Sequence, residues 1–228
     1  MKFILFILIS LISTQVFAEG KVKLYKSYSH YIGNIYEEYE FQDFDQNFYT
    51  SGYAKPKLTV KRDGKKVKID LLEYWCFVYR DILFRREDQA GTYQALLSSG
   101  KLFYWESAEL ILLVLDRPEP KSILGGWPYI SILLSKSIDG EMKMSNELTQ
   151  FFEENPELKQ VALCYNNKTE YNINKLYAKI KKLGDDTDLQ ALIYITDLFT
   201  ETYNKSERKI LRDCVKEFNG NFLPIFDE

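Results

Sequence analysis

The period of the hydrophobic pattern changes once along this chain, and that change divides the expected fold into two halves. From Lys57 to Met144, apolar residues alternate with polar ones in short runs separated by turn residues, as in β-strands. From Ser145 onward they recur every third or fourth residue, which is typical of amphipathic helices. We therefore expect an α+β protein with an antiparallel β half at 55–144 and a helical half at 145–228.

The β half is expected to be a roll, a barrel or a sandwich of about seven or eight short strands. Asp63-Gly64 and Arg80-Asp81 are predicted hairpin turns. The segments that carry a strand pattern are 57–61, 66–70, 74–79, 82–86, 92–97, 101–106, 110–115, 129–136 and 141–144. The helical half is expected to be a small bundle packed on this sheet. Its first two expected helices begin at Ser145 and Asn155, and the next two cover 173–183 and 187–203. A last helix is expected to begin after Asn204 or Ser206 and to end near Phe218.

The segment 19–54 is rich in acidic and aromatic residues and is expected to form an N-terminal arm. Ser29 is a candidate cap for a short helix that runs to Tyr39, and 42–54 is expected to be a loop. In sites that bind sugars, tyrosine rings pack on the apolar face of the ligand and carboxylates bond to its polar groups. The candidate ligand-binding residues are therefore Tyr36, Tyr39, Asp43, Asp45 and Tyr49.

The stretch LLEYWCFVYRDILFRR at 71–86 is expected to be core rather than a reactive site. In an extended strand, Trp75, Phe77 and Tyr79 share one face, and Cys76 lies on the opposite face. No basic residue on this strand is placed to stabilise a thiolate at Cys76. A strand that is apolar on both faces is covered on both.

Cys76, Cys164 and Cys214 are the three cysteines of the chain. An odd number allows one intramolecular disulfide, which could form in three ways. The pairing of Cys164 with Cys214 is favoured because both cysteines lie in the helical half.

Several chemistries are disfavoured by the residues present. His30 is the single histidine, so a zinc site with two or three histidines cannot form, and no catalytic residue is assigned. Asp43-x-Asp45-x-Asn47 resembles the start of a calcium loop, but Phe48 and Ala54 occupy the positions where Gly and Glu are needed. No metal and no cofactor is expected.

The N-terminus has the order of a cleaved secretory signal. Lys2 precedes an apolar run too short to span a bilayer, and Val16 and Ala18 suit a signal peptidase. Removal of residues 1–18 takes one Lys and changes the formal charge from −3 to −4. That mild acidity disfavours nucleic acid as a partner. We expect an exported protein, periplasmic or secreted, with no membrane span in the mature chain.

Residues 63–86 resemble a pattern found in uncharacterised exported proteins of the Bacteroidota. In that group a Gly-Lys-Lys hairpin precedes a strand with a Trp-x-aromatic pattern, matched here by Gly64, Trp75 and Phe77. The chain departs from the group at Cys76, where Gly is usual, and its second turn also lacks Gly. The resemblance implies an exported protein and a similar fold, and it implies no activity.

The function expected from these observations is non-enzymatic: a binding or structural protein of the cell envelope or secreted space, with an envelope protein or a glycan as its partner. The alternative is a hydrolase that cleaves glycan or peptide with a pair of carboxylates.

The order of charges and apolar residues at the N-terminus predicts that residues 1–18 are removed on export. N-terminal sequencing of the exported protein should therefore begin at Glu19. A mature chain that begins at Met1 would contradict this expectation.

Overall fold

The structure is a computed structural model that describes residues 20–48, 54–87, 91–108, 111–112, 115, 132–144, 147–181 and 206–223. Within these residues ten strands form one antiparallel sheet. The strands are β1 Lys21–Tyr25, β2 Glu37–Phe48, β3 Ala54–Arg62, β4 Lys65–Asp70, β5 Cys76–Tyr79, β6 Ile82–Arg86, β7 Tyr93–Ser98, β8 Phe103–Ser107, β9 Ile132–Ser135 and β10 Lys143–Met144. Their order across the sheet is β10-β9-β8-β7-β6-β5-β1-β2-β3-β4. The α+β class and the large antiparallel sheet are confirmed, with more strands than the seven or eight expected.

Two tight turns set the register of their hairpins. Asp63 and Gly64 have φ angles of 51° and 76°, and Arg80 and Asp81 have φ angles of 49° and 61°. Positive φ at both central residues matches the right-handed twist of the strands that a two-residue turn joins. These turns place β3 beside β4 and β5 beside β6.

The expected helix from Ser29 to Tyr39 is wrong beyond Ile32, and the expected loop at 42–54 is wrong over 42–48, which belong to β2, and at 54, where β3 begins; residues 49–53 lie outside the described part of the chain. The helix α1 is shorter, Tyr28–Ile32, and Ser27 caps it by accepting a hydrogen bond from the His30 N–H at 3.2 Å. Gly33 ends it, and β2 then pairs with both β1 and β3. The register of β2 shifts between Phe41 and Asp43. This bulge interrupts the alternation of apolar residues, which explains why the strand looked like a loop in the sequence.

The expected strand at 74–79 begins later, at Cys76. Tyr74 is the residue that ends a short 3₁₀ helix, Leu71–Glu73, and its ring packs in the same core as Phe77. Trp75 packs on the other face, beside Cys76. The expectation that Trp75 shares a face with Phe77 is therefore wrong, because strict alternation starts only where the strand does.

The expected strand at 110–115 is also wrong. Ile111, Leu112 and Leu115 have helical backbone. A short apolar run has no periodicity that separates a buried strand from a buried helix.

Each face of the sheet carries its own hydrophobic core. The larger core contains Leu24 and Phe77 from the sheet together with Val161 and Leu211 from the helices. The smaller core lies on the opposite face and contains Tyr25, Cys76, Leu83, Trp105, Leu133 and Met142. The central strands are therefore covered on both sides, in agreement with their continuous apolar sequence.

The helical half contributes three described helices: α2 Leu148–Glu154, α3 Lys159–Lys181 and α4 at 206–219. Pro156–Leu158 forms a 3₁₀ turn that leads directly into α3. The two helices expected from Asn155 and at 173–183 are thus parts of one helix. Ser145 and the helix expected at 187–203 lie outside the described residues.

A buried carboxylate attaches α4 to the sheet. Glu106 of β8 is 0% exposed, and its two oxygens accept hydrogen bonds from Arg208 and Arg212. The Tyr104 hydroxyl donates a third bond at 2.7 Å. Burial alone would raise the pKa of the Glu106 carboxyl, but these bonds and the two positive charges outweigh it and hold the pKa below its usual range.

Two further attachments hold the helices in place. Asn219 and Asn221 bond with their side chains to the turn between β7 and β8, at Ser98 and Ser99. A disulfide between Cys164 of α3 and Cys214 of α4 joins the two helices, with a Cα–Cα distance of 5.8 Å. This is the pairing that the sequence favoured.

Replacing Glu106 by Gln should lower the free energy of unfolding by about 3–5 kcal/mol, because two largely buried guanidinium groups lose their counter-charge. The pKa of Glu106 is lower in the folded protein than its ordinary value of 4.5. The stabilisation that the ionised Glu106 gives to the folded protein is therefore complete above about pH 4.5 and is lost as the pH falls through the pKa of the folded state. The gap in denaturation midpoint between wild type and Glu106→Gln should shrink in acid.

Glu141→Gln is the matched control, since it breaks an exposed ion pair with Lys143. Its expected cost is below about 1 kcal/mol. A Glu106→Gln midpoint equal to that of wild type at neutral pH would show that the pair contributes nothing to stability.

Candidate binding surface

Five aromatic side chains form a continuous row on the sheet face opposite α2, α3 and α4. We call this set the aromatic row: Tyr36, Tyr25, Tyr31, Trp75 and Tyr28. Successive ring centroids in that order are 5.7, 5.3, 5.7 and 5.2 Å apart. Their rings are tilted or edge-on, the arrangements that aromatic quadrupoles favour.

Three parts of the chain place these rings beside one another. β1 supplies Tyr25, and α1 with the turn that follows it supplies Tyr28, Tyr31 and Tyr36. The backbone of Trp75 is held from both sides. Its backbone N–H donates to the Tyr25 carbonyl at 2.9 Å, and its backbone carbonyl accepts from the Arg86 N–H at 3.0 Å. The short helix α1 places the rings of Tyr28 and Tyr31 against the Trp75 side chain.

Two cations lie against the aromatic row. The Lys23 ammonium is 4.7 Å from the centre of the Tyr36 ring. The Arg85 guanidinium lies 5.6 Å from Trp75 and 5.8 Å from Trp105, and it donates to the carbonyls of Ile138 and Gly140. Arg85 is 1% exposed and therefore lies beneath the aromatic row. Lys23 lies at the exposed end of the row, beside Tyr36.

Exposure increases from the base of the row to its edge. Tyr25 is buried, and burial raises the pKa of its hydroxyl and of the Tyr31 hydroxyl. Tyr36 is 38% exposed, and Ile32 and Ile35, which precede it in the chain, are 65% and 60% exposed. Apolar and aromatic side chains are therefore exposed to solvent at the Tyr36 end of the aromatic row.

The five residues proposed from the sequence do not form one cluster. Tyr36 lies in the aromatic row, whereas Tyr39 packs against the larger core on the other face of the sheet. Asp43 and Asp45 flank Phe44, which also packs on the larger core. Their side chains therefore lie on the opposite face of the sheet, the face of the aromatic row, but further along β2 than Tyr36. Tyr49 lies outside the described residues.

Glu37 is a polar centre that sequence reasoning missed. Its carboxylate accepts hydrogen bonds from Tyr39 at 2.8 Å and from Tyr74 at 3.0 Å, and it pairs with Lys26 at 3.1 Å. The bond from Tyr39 contributes most to holding the pKa of this carboxyl below its usual range. Glu37 is thus a charged residue that ties β2 to the segment before β5.

Cys76 lies under the aromatic row and is fully buried, which confirms the expectation of a core position. The sequence argument overlooked Arg85, which is directly opposite Cys76 in the β5–β6 register. Burial raises the pKa of the thiol far more than the Arg85 charge lowers it. The thiol therefore stays protonated and unreactive despite the nearby cation.

Tyr25, Tyr28 and Tyr31 were not among the proposed ligand residues. The alternation Lys21-Val22-Lys23-Leu24-Tyr25 was the available signal, because it marks a strand with Tyr25 on one face. The contact of Trp75 with the rings of α1 depends on the pairing of β1 with β5, two strands far apart in the chain, and the sequence pattern does not show this pairing.

Comparison with known proteins finds no matching family model, no matching curated protein and no matching solved structure. Among the described residues, no group of His, Cys, Asp or Glu is placed to bind a metal ion. No helix in the described ranges is both long enough and apolar enough to cross a bilayer. The aromatic row is therefore the candidate site that rests on side-chain geometry.

Cys76 should be inert to thiol reagents in the native protein and should react only after unfolding, because it is buried and its pKa is raised. Cys76→Ala should cost on the order of 1 kcal/mol, since little packing volume is lost. Labelling by a maleimide, read by mass spectrometry before and after denaturation, tests this. Rapid labelling of the native thiol would contradict the assignment to the core.

Proposed function

We propose that this protein is an exported, non-enzymatic binding protein and that the aromatic row is its ligand-binding surface. The observation that carries the proposal is the series of five touching rings that ends in the exposed Tyr36, Ile32 and Ile35. Half-exposed aromatic side chains supply a large contact area at a small entropic cost, which is why binding surfaces use them.

The chemistry of the row suits a glycan of the cell envelope. A sugar ring has an apolar face that packs on an aromatic ring and hydroxyl groups that bond with polar neighbours. The row offers both, because Tyr28, Tyr31 and Tyr36 carry hydroxyls and the Lys23 ammonium stands at its edge.

Export is supported by the cysteines as well as by the N-terminal residues. The bond between Cys164 and Cys214 joins α3 to α4. Such bonds persist in the periplasm and outside the cell and are rare in the cytosol.

The hydrolase alternative has less support. Two carboxyl groups around a cleft are needed, one of them held protonated by a raised pKa. Glu106 is buried, but its pKa is lowered by the arginines and it is committed to α4. A groove of about 360 Å³ between α2 and α3 has Glu153 as the one carboxylate among its described lining residues.

Binding to a glycan should weaken when a side chain at the exposed end of the aromatic row is removed. Co-sedimentation of the full mature chain with purified peptidoglycan should give a dissociation constant for wild type. Tyr36→Ala should raise it about tenfold, as removal of an anchoring aromatic side chain does. Ile35→Ser is a second variant at the same edge.

Tyr171→Ala is the matched control, because Tyr171 is 66% exposed on α3, away from the row. It should bind as wild type does. If Tyr36→Ala and Tyr171→Ala bind equally well, or if wild type does not sediment with peptidoglycan, the row is not a glycan site.

A further inference from the structure

The strand β4 ends one side of the sheet within the described residues, because it pairs with β3 and with no other described strand. All of its residues except Ile69 are exposed. A strand in this position offers backbone N–H and C=O groups to any chain that lies along it.

The register shows which groups of β4 point outward. In a hairpin with a two-residue turn, the residues flanking the turn, Arg62 and Lys65, form a hydrogen-bonded pair. Bonding to β3 then alternates, so Val67 bonds inward while Lys66 and Lys68 direct their backbone N–H and C=O groups to the open side.

The same register fixes the charges along this edge. Leu58 and Val60 of β3 are buried, and they pair with Ile69 and Val67. Lys66 and Lys68 therefore point to the opposite face of the sheet, beside one another at alternate positions. Val67 is 39% exposed on the core side of β4, so an apolar side chain also lies uncovered at the edge.

The sheet already contains a pairing of the kind that would fit here. β2 is an acidic strand and β3 a basic one, and their register sets Glu40 opposite Lys61 and Asp45 opposite Lys57. The Lys61 ammonium is 3.2 Å from the Glu40 carboxylate. Opposite charges across neighbouring strands stabilise a pair, and like charges destabilise it.

We propose that β4 is a docking edge for an extended acidic peptide segment of a partner protein, which adds to the sheet as an eleventh strand in the described order. Alternate carboxylates of this segment pair with Lys66 and Lys68, and small apolar residues between them cover Val67. The same lysines exclude a second copy of β4, because self-pairing would bring lysines face to face. This edge is separate from the aromatic row and does not depend on the glycan proposal.

A short fluorescent peptide of alternating valine and glutamate is the probe, and its valine–glutamine analogue is the neutral control. Fluorescence anisotropy should show saturable binding of the acidic peptide to the full mature chain and none of the neutral one. The variant Lys66→Gln/Lys68→Gln should weaken binding at least about tenfold, since two charge pairs are lost. Lys175→Gln removes an exposed charge on α3 and should leave binding unchanged.

Lys68→Pro separates strand addition from simple attraction of charges. Proline lacks the outward N–H, and an edge strand tolerates it at a position that does not bond inward. Binding of the acidic peptide should weaken about three- to tenfold beyond the effect of Lys68→Gln, with circular dichroism confirming the fold of both variants. Equal binding by Lys68→Pro and Lys68→Gln, or equal binding of heparin and the acidic peptide, would overturn the proposal in favour of non-specific attraction to polyanions. No binding of the acidic peptide to wild type would also overturn it.

Discussion

The antiparallel pairing of β1 with β5 is the contact on which the rest of the sheet depends. Every other described strand pairing joins strands that are neighbours in the chain, whereas this one connects β1–β4 to β5–β10. Its register sets Leu24 opposite Phe77 and Tyr25 opposite Cys76. A shift of one residue would turn Lys23 into the larger core, so burial specifies the register strongly. The same pairing brings Trp75 beside Tyr25 and the rings of α1, so the aromatic row depends on the contact that organises the core.

Glu106 and Arg85 are buried ionic groups on opposite faces of the sheet, and their charges are compensated in different ways. On the helical face, Glu106 is neutralised by Arg208 and Arg212. On the opposite face, Arg85 bonds to backbone carbonyls and lies against the rings of two tryptophans. Groups of this kind contribute little net stability compared with apolar packing, but a misplaced helix or loop would leave them uncompensated. They therefore favour one arrangement of α4 and of the loop that follows β9.

The sequence predicted those features that depend on neighbouring residues, and it failed where distant residues decide. The turns at Asp63-Gly64 and Arg80-Asp81 and the class of the fold follow from local patterns. β2 was missed because its bulge after Phe41 breaks the alternation. Tyr36 was identified as a candidate, but its partners in the aromatic row come from β1 and from Trp75, which are brought together by pairing between distant strands.

The disulfide has a consequence for the integrity of the chain. Cys164 and Cys214 are 50 positions apart in the sequence, so a protease that cuts once between them produces two fragments that remain covalently joined. α4 would keep its link to α3 and its ion pairs with Glu106 after such a cut. A nicked molecule would therefore migrate as an intact one until a reductant separates its fragments.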